Sequence, residues 1–176
     1  MAREPINTGE VDWSGENPGI ALKETEDGPF TCLVSFFRVF YSPHGPGHAV
    51  VLLWNPLEAS PHNGLYADNA ALAGWLRDNY VAHFGSYKGN PQLARLPIRD
   101  LTGCERSDDT RHSYTETITG PDLHLTLTWS GLQTPFMVEF PVEKSATGLH
   151  EMFSLFIPAN SAEVTLNGER ARGRAF

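Results

Sequence analysis

The chain has 176 residues, of which 40% are apolar and 19% charged, and its net charge is −8 with neutral histidines. That length fits one domain with enough interior to hold a core without disulfide staples. The acidic balance argues against nucleic acid, which demands a basic footprint. Cys32 and Cys104 are too few for a disulfide framework or a CxxC metal site, although one bridge between them stays open. Neither an N-terminal apolar segment nor a run of about 18 apolar residues occurs, so the expectation is a cytoplasmic protein with no membrane partner.

Residues 1–18 read as a flexible N-terminal arm with Trp13 as its one large anchor, and 19–176 as a single β-rich domain. Gly19 to Glu26 predicts a short strand closed by the Asp27-Gly28 turn. Phe30 to Tyr41 (FTCLVSFFRVFY) lacks Gly and Pro and is rich in aromatic and β-branched residues, which suit a pleated, packed surface. Both of its alternating faces are apolar, so it predicts a strand covered on both sides. His48 to Asn55 follows after a short turn, which predicts an antiparallel hairpin with Tyr41 opposite His48 and Arg38 opposite Val51.

Leu72, Trp75, Leu76, Tyr80 and Phe84 recur at helical spacing, predicting a helix over 68–84 with Asp68 as its N-cap and Gly85 as its stop. Beyond residue 95 the chain returns to strands. His112 to Thr119 has polar residues on both faces and reads as an edge. Leu123, Leu125, Leu127 and Trp129 alternate with His124, Thr126 and Thr128, giving a strand with one wet face. Pro135 to Phe140 and Leu149 to Ile157 are two further strands, and Asn167-Gly168 marks a tight hairpin. Thirteen prolines and sixteen glycines suit many short strands and turns. The fold class is therefore mainly β: an antiparallel β-barrel, lipocalin-like or similar, or a β-sandwich, with one long helix. The likeness to lipocalin barrels is one of general architecture and carries no function.

Two residues interrupt apolar faces. Arg38 stands in register with Phe36 and Phe40, and Glu151 with Phe153, Leu155 and Ile157. A charge on a buried face needs a partner, so the expectation joins the two across strands. They form either a structural ion pair that fixes strand order or a pair lining a cavity, with His48 or Tyr41 at its mouth. In the second case Arg38 holds an anion and Glu151 moves a proton. Glu139, out of phase with its apolar neighbours, faces solvent.

No Gly-rich phosphate loop, GxSxG, HExxH or HxH motif occurs, so no cofactor is expected. The functional expectation is a barrel-like domain enclosing a small apolar or amphipathic ligand. Its chemical form would be a cofactor-free isomerase, cyclase or lyase working by proton transfer. The alternatives are a non-catalytic carrier or sensor, a metal-dependent enzyme using His44 and His48, and a module without a pocket. His62 is excluded from any site with His44, because the strand between them spans about 26 Å at about 3.3 Å per residue.

Overall fold

The computed structural model describes residues 10–58 and 60–176. Its first sheet comprises β1 (Ser14–Glu16), β2 (Gly19–Lys23), β3 (Phe30–Tyr41), β4 (Gly47–Trp54), β5 (Gly64–Ala67) and β6 (Ile98–Asp100). β3 is its axis: β1 and β2 pair along one side of it and β4 along the other. β5 lies antiparallel to β4, and β6 runs parallel to β5 after a crossover that contains the helix α1 (Ala70–Asn79).

The second sheet begins with β7 (Gly103–Ser107), β8 (Ser113–Gly120) and β9 (Leu123–Leu132). The chain then leaves it for a separate two-stranded ribbon, β10 (Phe136–Phe140) with β11 (Met152–Phe156). It returns through β12 (Ala159–Leu166) and β13 (Glu169–Arg170), giving the spatial order β13-β12-β9-β8-β7. Among the described residues no sheet closes into a barrel. The molecule is mainly β, with two larger sheets packed face to face.

The two apolar faces of β3 meet different layers. Cys32, Val34 and Phe36, with Val50, Leu52 and Trp54 of β4, pack between the sheets against Ile118, Leu125, Leu127, Trp129, Val164 and Leu166. Leu33, Phe37 and Val39, with Val51, Leu53 and Leu65, pack under Leu72, Leu76, Tyr80 and Val81 on the helix side. A fully buried side chain of this kind contributes roughly 1.5–3 kcal/mol, so the first sheet is stabilised from both sides. The leucines of β9 face inward and His124 outward.

Several expectations are corrected. The helix is shorter than 68–84 and is capped by Asn69, whose side chain accepts from the Leu72 N–H. It ends where the Asn79 side-chain amide donates to the Trp75 carbonyl, and a 3-10 turn at Val81–His83 follows. The β3–β4 hairpin exists, but Arg38 lies opposite His48 and Val39 opposite Gly47. Apolar residues occupy both faces of both strands, so the side-chain pattern left the register free, and an offset of an odd number of residues exchanges faces. β8 is an interior strand of its sheet rather than an edge. Part of the expected arm is ordered, since β1 pairs with β3 and the Trp13 ring meets Phe37 and Tyr80 edge-on; residues 1–9 lie outside the described residues. Both cysteines are free. The Asn167-Gly168 turn joins β12 to β13 with both residues at positive φ, 50° and 87°.

Phe36 is fully buried between the sheets and Phe153 is 73% exposed on the ribbon. Urea unfolding of Phe36→Ala should show a loss of about 3–5 kcal/mol, whereas Phe153→Ala should stay within about 0.5 kcal/mol of the parent.

Candidate functional site

The space between the sheets is apolar along most of its length and becomes polar at one end. There the inward-facing series of β3 ends in Arg38 and that of β4 in His48, while β8 supplies Glu116 and β7 supplies Cys104 and Arg106. Arg38 meets Glu116 in a two-pronged pair, Nη1 to Oε1 at 2.7 Å and Nη2 to Oε2 at 2.8 Å. Glu116 is completely buried. Arg38 also donates to Glu16 Oε2 at 2.7 Å, Arg106 donates to the same carboxylate, and the Tyr114 hydroxyl donates to Glu116. The Arg38 guanidinium lies over the Phe36 ring, 5.1 Å from its centroid.

Burial works to lower the Arg38 pKa, and its hydrogen bonds to Glu116 and Glu16 more than reverse that, so Arg38 stays charged. Burial works to raise Glu16, and the two guanidiniums outweigh it and hold the carboxyl below its ordinary 4.5. Burial and then Glu116 push the Tyr114 hydroxyl up to about 12. Burial, assisted by Asp68, pushes the Cys104 thiol up to about 12 as well. At neutral pH Cys104 is therefore a thiol and a poor nucleophile.

Asp68, just beyond the end of β5, accepts the His48 backbone N–H through Oδ1 and lies 2.6 Å from the ring Nδ1 through Oδ2. Gly47 makes that approach possible, because a Cβ there would fall 2.8 Å from Asp68 Oδ1. The ring is parallel to that of Phe36, with centroids 6.0 Å apart. A carboxylate against Nδ1 orients the ring and favours the tautomer that carries its proton there. His48 and Asp68 line an open depression of about 790 Å³ together with Arg38, Phe40, Gly47 and Ala70.

The four expected site residues are not brought together. Arg38 and His48 are cross-strand neighbours. Tyr41 projects towards the other face of β3, pairs with Ser14 and borders a different depression with Val11 and Pro43. Glu151 is exposed on the ribbon. The expected Arg38–Glu151 pair is thus replaced by Arg38–Glu116, because the apolar face that Glu151 shares with Phe153 and Leu155 is turned outward. His44 and His48 do not share a site either: the His44 ring lies against Trp75 of α1, on the opposite side of the sheet from the Phe36–His48 stack. Among the described residues no three His, Cys, Asp or Glu side chains converge as a metal site would need. Glu116 carried a signal that was missed: it shares a strand face with Tyr114 and Ile118, just as Arg38 does with Phe36. In the sequence Asp68 reads only as a helix cap.

Comparison with family models, with curated proteins and with solved structures found no match to this chain.

Glu116→Gln should destabilise the fold by about 3–5 kcal/mol, the scale for breaking a buried pair, while Glu151→Gln should change it by less than about 0.5 kcal/mol. Chemical denaturation of the two variants checks both. Glu16 has its own pH signature. Its carboxyl is held low only in the folded state, so its stabilising contribution is complete above about pH 4.5 and is lost as the pH falls through the lower folded value. Thermal melts from pH 6 downward should show a shallower acid loss for Glu16→Gln than for the parent.

Proposed function

We propose that the polar end of the sandwich is a small-molecule site in which His48, oriented by Asp68, exchanges a proton with an apolar or amphipathic ligand. The observation that supports this most is the double grip of one carboxylate on the His48 backbone and ring. It fixes the imidazole of a residue that lines an open depression. A base held in one tautomer is suited to general acid–base chemistry, in which the proton must be met within hydrogen-bond reach. Phe40 and Pro46 supply apolar wall. Arg38 contributes fixed positive charge, although two carboxylates already occupy its donors. Glu151 has no part in this reading.

The reaction class that fits is proton transfer of the isomerase, cyclase or lyase type, with a carbon acid beside a carbonyl as the simplest substrate. Attack by a side chain fits less well, since the neighbouring thiol is held protonated.

The test is deuterium exchange. A panel of amphipathic ketones in D2O should include members whose carbon-bound proton next to the carbonyl exchanges faster with the protein present. That acceleration should fall at least about a hundredfold in His48→Gln, the low end of what a positioned acid or base supplies. His48→Gln should keep the parent's melting temperature to within a few degrees, as expected for about 1 kcal/mol or less. Exchange that survives the substitution unchanged would sink the proposal.

A further inference from the structure

Neither strand of the β10–β11 ribbon contributes a residue to either core. The ribbon continues the β9–β12 ladder past Pro135 and Pro158, and its two strands make extensive contact only with each other. Near its tip the His150 ring stacks on Tyr80 at 4.2 Å, with Nε2 3.7 Å from Asp12. A lone two-stranded ribbon is marginal in water, and this one exposes large apolar side chains. On its outward face Phe153 is 73% exposed, Met137 67% and Leu155 59%. An exposed patch of this kind marks a contact surface.

The same face carries charge of one sign. Glu139 lies opposite Phe153 in the ladder, and Glu151 follows two residues before Phe153 on the same face. Neither carboxylate has a basic partner among the described residues. A second copy laid on this face would bring four carboxylates together, and the chain as a whole carries −8. An anionic bilayer would be repelled for the same reason.

We propose that the outward face of the β10–β11 ribbon docks a segment of another protein in which lysine or arginine alternates with large apolar residues. The apolar side chains would cover Met137, Phe153 and Leu155, and the cations would pair with Glu139 and Glu151 in a partly desolvated setting, where charge complementarity decides between partners.

The test uses the full chain and a short amphipathic leucine–lysine peptide, compared with the same peptide carrying glutamate for lysine. Amide shifts of the parent should move at residues 137–157 with the lysine peptide and stay still with the glutamate one. Glu139→Lys with Glu151→Lys should weaken the lysine peptide at least about tenfold and admit the glutamate peptide, as expected when like charges face each other. Phe153→Ser with Leu155→Ser should weaken the lysine peptide by a similar factor. Binding that survives the serine pair would reflect general attraction to an acidic protein and would overturn the proposal. It is also overturned if sedimentation shows a dimer that the serine pair dissolves, or if the parent but not the serine pair co-sediments with phosphatidylcholine vesicles.

Discussion

The Arg38–Glu116 pair is the constraint on which the arrangement of the two sheets rests. Each residue stands where its strand would otherwise carry another apolar side chain, and neither could be buried alone. A guanidinium matches a carboxylate with two parallel donors, a geometry lysine cannot offer. The bond therefore defines the separation and direction of β3 relative to β8 as well as their proximity. Such a pair often adds little net stability over a well-packed apolar one. Its effect here is on specificity: the apolar faces of the two sheets could slide against each other, but only one placement satisfies both charges. Tyr114 donates to Glu116, and Glu16 accepts from both Arg38 and Arg106.

The position of that pair shapes the proposed site. Because Arg38 is occupied by two carboxylates, it is a fixed element of the wall rather than a free anion receptor. The adjacent cross-strand residue, His48, inherits the open side. Its partner comes from the end of β5, so three consecutive strands of one sheet, β3, β4 and β5, together build the site. The oriented imidazole follows from strand order together with Gly47, whose missing Cβ lets Asp68 approach.

Much of this was legible in the chain. The doubly apolar Phe30–Tyr41 segment marked the central strand, the helical stripe after Asn69 marked the α-helix, and Arg38 announced itself as a charge in an apolar series. What could not be read was which carboxylate answered it. Glu151 and Glu116 both interrupt alternating faces, and alternation reports that a face is apolar without reporting whether it is covered. Pro135 and Pro158 were the local signs that the chain leaves the sheet, since proline cannot donate to a ladder. Threonines on both sides of Glu116 made β8 look wet. The β3–β4 register was equally hidden, because strands apolar on both faces pair well in either phase. Asp68 was obscured by its neighbour: two residues with capping side chains stand in succession, and the asparagine took the cap.

The two sheets occupy successive stretches of chain, and this bears on biosynthesis. The first sheet is complete at residue 100, and the last strand of the second ends at residue 170. At about 5–20 residues per second, a ribosome makes the intervening stretch in roughly 4–14 s. For that time Phe36, Val50, Leu52 and Trp54 belong to a finished sheet that has lost its solvent on one face only. The nascent chain thus presents a flat apolar surface to chaperones and to its own copies on a polysome, until β9 and β12 arrive to cover it.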